Sequence, residues 1–289
     1  MRSLPPSELI INEDGSIFHL HLKPDQLSDR IILCGDPDRV TLIAGNFSEK
    51  ECDISNREFH TITGIYKGKR LSVVSHGIGC DNIDIVLNEL DALVNIDFEM
   101  RTIRRTFRPL TLVRIGTSGG LQPFTPVGSY VAAETSIGFD GVLYFYKNSE
   151  KVRDINIENE LIRQLEWNIE GIRPYVVSAD KSLTEQIIRE DIIRGMTIAA
   201  NGFYGPQGRE LRLPLADPQL NQKIESFRFG NRQITNYEME SSALAGLAAL
   251  MGHRALTVCC IIAGRIDKNM KTDYSNSLPL LIEKVLDRI

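Results

Sequence analysis

The stretch Arg30-Ile31-Ile32-Leu33-Cys34-Gly35-Asp36-Pro37-Asp38-Arg39 joins an apolar run to a glycine turn and then to a potential helix start. A nearly continuous apolar run is typical of a strand that is covered on both faces. Comparable runs occupy residues 112–115 and 256–263, and further strands are predicted at 71–76, 130–133 and 175–178. The segments between these strands therefore decide the fold class.

Several of those segments have the apolar periodicity of amphipathic helices. They are residues 84–98, 157–169, 217–227, 239–251 and 277–289. Residues 66–70 predict a hairpin, so the sheet should be mixed. We therefore expect an α/β fold with a central mixed β-sheet surrounded by helices.

The segment from Lys181 to Asn201 is harder to assign. Ser182 followed by Glu185 resembles a capping box, which predicts a short helix over the sheet edge. Neither an internal repeat nor a linker rich in Pro, Gly or Ser is recognisable. We expect one domain covering residues 1–289.

The charge balance limits the class of partner. With a formal net charge of -5, the 289-residue chain lacks the basic character of a general nucleic-acid binder. Residues 100–108 are a local exception with four arginines, and we expect a helix running into a loop there, with the arginines solvated. His253 and Arg254 interrupt the longest apolar stretch, residues 243–264, which predicts a buried helix and strand and no membrane contact.

The cysteines and the amino-terminal composition favour a cytoplasmic location. The five cysteines form no CxxC pair, and most lie in apolar runs where a thiol behaves as a small hydrophobic group. The first residues lack the charged start and apolar core of a signal peptide. Both features are typical of a protein of a reducing compartment.

The turn after the first strand could bind an anion. Gly35 lets a ligand approach the backbone, and Arg39 stands one helical turn later. An ordinary tight turn would also explain Gly-Asp-Pro. A second strand end, Ser75-His76-Gly77-Ile78-Gly79, is similar, and neither has the spacing of GxGxxG or of a P-loop.

The stretch Val113-Arg114-Ile115-Gly116-Thr117-Ser118-Gly119-Gly120 carries a stronger signal. An arginine inside an apolar strand is costly to bury unless it is paired. Arg114 must therefore face either a carboxylate of the protein or an anionic ligand. The pattern leaves both alternatives open.

The fourth element, Asn236-Tyr237-Glu238-Met239-Glu240-Ser241-Ser242, puts two carboxylates and a thioether at the predicted start of an Ala-rich helix. Acidic side chains at a helix start also suit the helix dipole. Alone, this segment would not indicate a binding site.

Taken together and in this order, the four elements resemble the nucleoside phosphorylases, in particular the uridine phosphorylase branch, over nearly the whole chain. The motifs that carry the resemblance are Gly35-Asp36-Pro37-Asp38-Arg39, Arg57-Glu58-Phe59, Arg114-Ile115-Gly116-Thr117, Phe203-Tyr204-Gly205-Pro206-Gln207-Gly208-Arg209 and Glu238-Met239-Glu240.

The resemblance implies a phosphate site made by Gly35, Arg39, Arg114 and Thr117. Arg57 matches an arginine that reaches the same phosphate from the neighbouring subunit. Charge-assisted hydrogen bonds of this kind are worth about 1.5–3 kcal/mol each, which suits a small dianion.

The ribose site is implied in the same way. Glu240 matches the carboxylate that holds the ribose hydroxyls, Met239 the residue that packs on the sugar, and Glu238 a supporting carboxylate. His19 matches a histidine that crosses the dimer interface to the ribose 5′-hydroxyl, although without the resemblance it would be an ordinary interface or core histidine.

Phe203, Gln207 and Arg209 match the base pocket, with Ile262 beside it. Gln-x-Arg after an aromatic residue is the pyrimidine signature. Gly264 stands where purine enzymes carry an aspartate, which makes purine activity less expected. Glu58 and Ile78 match positions that hold a monovalent cation in bacterial relatives, but the third partner is Asn82 here, so no metal is predicted.

The implied reaction is phosphate attack on C1′ of uridine, which yields uracil and α-ribose 1-phosphate. Arg114, Thr117, Gln207 and Arg209 are the expected catalytic residues, inorganic phosphate is a co-substrate, and no other cofactor is expected. The resemblance implies a homodimer or a hexamer built from dimers with shared active sites. A purine or methylthioadenosine phosphorylase, a nucleoside hydrolase and a silent nucleoside-binding protein are the alternatives.

Overall fold

The protein was analysed as a computed structural model, which describes residues 3–264, 269–270 and 277–289. The described strands are β1 (Arg30–Cys34), β2 (Glu49–Asn56), β3 (Phe59–Tyr66), β4 (Lys69–Ser75), β5 (Ile96–Asp97), β6 (Thr102–Ile103), β7 (Thr111–Gly120), β8 (Tyr130–Gly138), β9 (Tyr175–Ser178), β10 (Ile193–Ala199), β11 (Ile234–Glu238), β12 (Arg254–Gly264) and β13 (Asn269–Met270). The described helices are α1 (Pro37–Ala44), α2 (Cys80–Asn95), α3 (Ile155–Gln164), α4 (Lys181–Ile187), α5 (Leu220–Ser226), α6 (Ser241–Met251) and α7 (Ser277–Arg288).

The central sheet is mixed, as expected. Strand β1 runs parallel to β4 on one side and to β7 on the other, and β7 runs parallel to β12. Antiparallel β2 and β3 extend the sheet beyond β4. The pairings β7–β12, β12–β8, β8–β10, β10–β11 and β11–β7 close a ring. Because β1, β4 and β7 are parallel, their carboxyl ends meet at one edge of the sheet.

Helices cover both faces of this sheet. On one face α2 and α6 pack over the apolar side chains of β1, including Ile31 and Leu33. On the other face α1, α4 and α7 cover Ile32 and Cys34 of the same strand. Burial on both faces explains why the strand is apolar throughout. The predicted α/β fold class is therefore confirmed.

Local predictions were confirmed where the chain gives a local signal. Strands β1 and β9 have the predicted bounds. The predicted hairpin joins β3 to β4, and Lys67 and Gly68 at its tip have φ of 48° and 78°. Two successive positive φ values are those of a type I′ turn, whose twist matches that of the flanking strands.

The prediction of a helix in residues 100–108 was wrong. This segment contains β6, which pairs with β5, and irregular turns. Arg101 donates to the carbonyl oxygens of Leu4 and Leu9, and Arg108 pairs with Asp29. These contacts connect residues far apart in sequence, so no helical periodicity encodes them.

The predicted capping box was also wrong, although the helix itself is present. Helix α4 is capped by Asp180, whose carboxylate accepts from the backbone N–H of Leu183 at 2.8 Å. The helix ends at Ile187, and the buried strand β10 follows, which the sequence did not indicate.

Several predicted element boundaries moved as well; α2, for example, spans Cys80–Asn95 and α3 spans Ile155–Gln164, against the predicted 84–98 and 157–169. Helix α5 begins at Leu220 and α6 at Ser241, later than expected, while the glycines after Arg114 continue β7 to Gly120. This extension pairs with β12 and β11, which gives the glycine-rich stretch partners on both sides.

Within the described residues, no helix is both long enough and apolar enough to cross a bilayer.

Candidate active site

A cavity of about 710 Å³ opens at the edge where β1, β4 and β7 end. Its size lies within the usual range for a small-molecule site. Eleven of the thirteen predicted site residues line it: Gly35, Arg39, Arg114, Thr117, Phe203, Gln207, Arg209, Glu238, Met239, Glu240 and Ile262. The structure thus brings together residues that are up to 227 positions apart in the sequence, from Gly35 to Ile262.

Gly35 and Arg39 lie at one end of the cavity. Asp36 caps α1 by accepting from the backbone N–H of Asp38 at 2.9 Å, which sets the turn between β1 and α1. A Cβ at Gly35 would lie 3.0 Å from the Gly77 carbonyl oxygen, a tight contact that would require the Gly77 backbone to shift. Arg39 is nearly buried and donates to the carbonyl oxygen of Ile115 at 3.3 Å.

Arg114 pairs with two carboxylates and a histidine. Its Nη1 donates to Glu238 at 3.0 Å, its Nη2 to Glu240, and its Nε to Nε2 of His76 at 3.1 Å. The sequence left open whether Arg114 faces a carboxylate of the protein or an anionic ligand. In the structure Arg114 forms ion pairs with two carboxylates and also lines the cavity, where an anion could contact it. We call Gly35, Arg39, Arg114 and Thr117 the anion end.

Space for the Arg114 guanidinium depends on Gly116. An added Cβ at this glycine would lie 2.7 Å from Arg114 Nη1 and 3.0 Å from Cys259 Sγ. Such contacts are closer than real Cβ atoms allow, and both neighbours are buried. Gly116, the first glycine of β7, therefore leaves room for the packed guanidinium of Arg114.

Glu238 and Glu240 form a carboxylate pair on either side of Met239. Glu238 is the last residue of β11 and accepts from the backbone N–H groups of Glu240 and Ser241 at 2.9 and 3.0 Å. Glu240 precedes α6 and accepts from the backbone N–H of Gly79 at 2.7 Å. The pair therefore joins the end of β11 to α6. The sequence had suggested that both glutamates belong to the helix start, whereas both precede Ser241, where α6 begins.

The buried charges shift the pKa values of the groups around them. Burial raises the pKa of Glu240, and nearby Glu238 adds to this, although Arg114 opposes both. Burial disfavours the charge of Arg114, but Glu240 and Glu238 outweigh this and hold its pKa above the usual range. Burial also raises the pKa of the Cys34 and Cys259 thiols to about 12.

The base end of the cavity is formed by the 200–219 loop, which connects β10 to α5. Arg209 donates from Nη1 to the Phe203 carbonyl oxygen and to Gln207 Oε1, both at 2.6 Å. Its guanidinium carbon lies 3.8 Å from the centre of the Phe203 ring. A cation stacked on an aromatic face at this distance is favourable and fixes both side chains. Ile262 of β12 lines the same cavity.

His19 and Arg57 do not line the cavity within this chain. His19 Nδ1 lies 2.6 Å from Glu89 Oε1, and the Asn56 side chain donates to the His19 carbonyl oxygen at 2.7 Å. Arg57, at the turn between β2 and β3, stands 5.7 Å above the Phe18 ring centre. Neither placement tests the expectation that these residues complete the site of a neighbouring subunit.

Glu58 and Ile78 match the monovalent cation positions of bacterial relatives, and no metal was predicted there because the third position is Asn82. In the structure Asn82 Nδ2 donates to Glu58 Oε1 at 3.5 Å. Among the described residues, no group of three or more His, Cys, Asp or Glu side chains is arranged to hold a metal ion.

Sequence reasoning missed the role of His76. This residue follows β4 directly, is fully buried, and accepts from Arg114 Nε without lining the cavity itself. The signal was a polar residue at the carboxyl end of a buried strand, in a segment whose glycines alone had been considered.

A second cavity of about 630 Å³ lies across the 200–219 loop. Trp167, Leu211 and Leu213 give it a mostly apolar lining, and Arg209 is the one predicted site residue on its wall. Its charged lining residues are Arg209, Arg212 and Asp217, whereas the first cavity has the buried arginines and carboxylates of Arg39, Arg114, Glu238 and Glu240 and is therefore the better candidate for phosphate chemistry.

Comparison with known proteins adds independent evidence. A family model described as the phosphorylase superfamily matches residues 29–285. A uridine phosphorylase of Thermococcus kodakarensis is 30% identical over 88% of this chain and 79% of its own length. A DeoD-type purine nucleoside phosphorylase of Geobacillus kaustophilus is 27% identical over 84% of each chain.

A solved structure shows the same similarity. It is a Trypanosoma brucei nucleoside phosphorylase described as having uridine phosphorylase activity, with a TM-score of 0.87 and 29% identity. The match covers 97% of this chain and 98% of that one. The family model spans most of the sequence and the fold agrees over almost its whole length, so the chain belongs to the phosphorylase superfamily.

Proposed function

We propose that the protein is a uridine phosphorylase, which uses inorganic phosphate to cleave uridine into uracil and α-ribose 1-phosphate. The observation that carries the proposal is one cavity lined by three chemically different groups of residues. Its anion end suits phosphate, the carboxylate pair suits a sugar, and the 200–219 loop offers an aromatic face, an amide and a guanidinium to a flat base. The relatives named above support the same activity.

At the anion end, Gly35, Arg39, Arg114 and Thr117 bind the phosphate dianion. Backbone amide groups at the start of α1 add to the positive potential there. Because the phosphate is held against the sugar, its oxygen attacks C1′ from the face opposite the base. Attack from that side inverts the anomeric centre and gives the α-anomer.

In the middle of the cavity, Glu240 accepts hydrogen bonds from the ribose hydroxyls while Met239 packs on the sugar ring. Glu238 fixes the backbone of Glu240 and Ser241 and so acts as a positioning residue. A carboxylate near the sugar also suits the positive charge that develops on an oxocarbenium-like ring.

At the base end, Phe203 stacks on uracil, and Gln207 and Arg209 donate to its oxygens. When the bond from C1′ to N1 breaks, its electron pair moves onto the base. Donors placed beside the uracil oxygens stabilise that charge, so Gln207 and Arg209 assist departure of the base. This reaction requires no cofactor besides phosphate as a co-substrate, and no covalent intermediate with the protein.

The active unit in this proposal is a homodimer, or a hexamer built from dimers. His19 and Arg57 lie outside the cavity of their own chain, and we place them at the ribose 5′-hydroxyl and the phosphate of a neighbouring subunit. We also propose a cytoplasmic location, on the basis of the five cysteines, none of which forms a disulfide. Neither nucleic acid nor a membrane is a partner in this proposal.

Purine nucleoside cleavage is the second candidate, since a purine phosphorylase is almost as similar in sequence. Gly264 and the Gln207-x-Arg209 pattern favour the pyrimidine. Glycine lacks a side chain that could protonate a purine nitrogen as the base departs.

Uridine turnover in the presence and absence of phosphate tests the proposal directly. Uracil and ribose 1-phosphate should appear in equal amounts only when phosphate is present, as followed by chromatography of both products. Uracil release without phosphate would instead indicate a hydrolase. Absence of turnover for uridine and inosine alike would indicate a binding protein.

A further inference from the structure

His76 is a fully buried histidine whose ring contacts Arg114. Its backbone N–H donates to the Cys34 carbonyl oxygen at 2.9 Å, which holds the residue beside the end of β1. Its Nε2 lies 3.1 Å from Arg114 Nε. Because an arginine can only donate, Nε2 must accept, and the neutral ring carries its proton on Nδ1.

The ring is neutral over the physiological range. Burial lowers the pKa of His76 well below the usual value, and the nearby charges of Arg114 and Arg39 lower it further. No part of the residue is accessible to solvent, with an exposed fraction of 0%, so the ring cannot touch a substrate in the cavity. Any effect on the reaction must pass through Arg114.

Arg114 has five N–H groups, and their partners can be counted. One goes to His76, one to Glu238 and one to Glu240, and a fourth points at Cys259 Sγ at 3.8 Å. Among the described residues, the second N–H of Nη2 has no acceptor. Since Arg114 lines the cavity, this N–H is available to an anion bound there.

The contact with His76 decides how Arg114 meets Glu240. A guanidinium binds a carboxylate best through two parallel N–H groups, and the pair formed by Nε and Nη2 is one such fork. In this structure Nε is taken by His76, so Glu240 receives a bond from Nη2 alone. A side chain at position 76 that cannot accept would leave Nε free to join Nη2 in a forked pair with Glu240.

We propose that His76 is a positioning residue, which accepts from Arg114 Nε and thereby keeps one Nη2 N–H of Arg114 for phosphate. This inference rests on the proposed function for the identity of the anion. The same restraint limits Arg114 to Oε2 of Glu240, while Oε1 accepts from the Gly79 N–H. Each carboxylate oxygen can accept a further hydrogen bond, and that capacity is left for the ribose hydroxyls.

Three substitutions separate this role from simple packing. His76→Gln keeps an acceptor at about the distance of Nε2, His76→Asn keeps an amide too short to reach Arg114, and His76→Leu removes all polar atoms. Phosphate affinity is measured by calorimetry without nucleoside, and the phosphate and uridine KM values by steady-state kinetics. We expect the phosphate Kd to rise about 10- to 100-fold in His76→Leu and His76→Asn. In both variants Arg114 loses the acceptor of its Nε, and the N–H kept for phosphate turns to Glu240, which costs one hydrogen bond from a charged donor. It should rise less than about threefold in His76→Gln, and the uridine KM should change less than the phosphate KM.

His253→Leu is the matched control. His253 is equally a buried histidine, and it accepts from the Leu110 backbone N–H at 3.1 Å, but it does not line the cavity. Its loss should lower the melting temperature and leave the phosphate Kd unchanged.

The outcomes are decisive in each case. Unchanged phosphate affinity in His76→Leu overturns the inference, and so does equal weakening in folded His76→Gln and His76→Asn. If His76→Leu does not fold, the comparison of Gln with Asn decides alone. Wild-type protein that binds phosphate without cleaving uridine would refute the proposed function, whereas the Kd series would still test His76.

Discussion

At the anion end Arg39 and Arg114 are nearly buried and stand on α1 and β7, whereas at the base end Phe203 is exposed and Arg209 is half-buried on an irregular loop, with Gln207 buried beside them. Arg114 is 5% exposed and has partners on β11, before α6 and after β4. Phe203 is 44% exposed, and Arg209 donates to Phe203 and Gln207 of its own loop. In the proposed function the two ends bind different parts of one substrate pair, and their difference in burial predicts a difference in rigidity.

The difference has a physical reason. Phosphate is small and highly charged, so its site needs donors fixed to a fraction of an ångström, and a sheet edge provides that. A base is larger and is recognised by stacking and a few polar contacts, for which a loop on a rigid scaffold is sufficient. Loss of one donor should thus be most damaging at the anion end, while the choice of substrate should reside in the loop.

The largest expected effect concerns that choice. We expect uridine to exceed inosine by about 10³ in kcat/KM, because polar groups placed for uracil oxygens stay unpaired with the wrong base. Arg209→Ala should lower uridine turnover far more than phosphate affinity and should reduce the preference. Rates for a panel of nucleosides at saturating phosphate measure this, and equal rates for uridine and inosine would contradict the assignment of the loop.

Arg114→Ala should lower kcat/KM at least about 100-fold, equivalent to roughly 2–4 kcal/mol, with a rise in the phosphate KM. The matched control is Arg153→Ala, which removes another arginine paired with a buried carboxylate, that of Glu158. The control variant should have a lower melting temperature but an unchanged phosphate KM. Arg114→Lys is a second variant for the case in which Arg114→Ala unfolds. If Arg114→Ala unfolds and folded Arg114→Lys shows no specific loss of phosphate affinity, the role of Arg114 is purely structural.

Two glycines compare the ends at the level of one methyl group. Gly116→Ala should raise the phosphate KM about tenfold, since the added carbon would displace the Arg114 guanidinium, which lies 2.7 Å from its position. Gly205→Ala in the 200–219 loop meets nothing within 4 Å, so both KM values should stay within about twofold of wild type. Similar losses in the two variants would show that the ends are equally rigid.

The smallest expected signal comes from mixed subunits. Inactive His19→Ala and Arg114→Ala proteins, mixed after mild dissociation, should recover about one quarter of wild-type activity, because half of the dimers are hybrids with one intact site each. Activity that stays at the level of the separate variants, although mass measurement shows hybrids, would place His19 outside the shared site. Full activity in a strictly monomeric preparation would do the same.

The comparison also explains what the sequence could predict. The anion end can be predicted from a short stretch of sequence. An apolar strand followed by glycine and a helix start, as at Gly35 and Arg39, is a recognisable anion site. The 200–219 loop has no periodicity, and its residues were identified by resemblance alone. The sequence did not predict strand β10, the contact of His76 with Arg114 or the ion pairs of Arg114, because these depend on contacts between distant parts of the chain. Arg114 and Glu240 are 126 positions apart, and only the closed ring of strands brings them together.

The raised pKa values of the buried thiols have a practical consequence for the chemical resistance of the protein. Cys34 adjoins Gly35, and Cys259 contacts Arg114, so modification of either would damage the anion end. Thiolate is the reactive form, and a pKa of about 12 leaves almost none of it at neutral pH. Of the five cysteines, Cys52 alone is partly exposed. Alkylating reagents and mild oxidants should therefore reach this surface thiol first, and a probe attached there would report on the protein without entering its cavity.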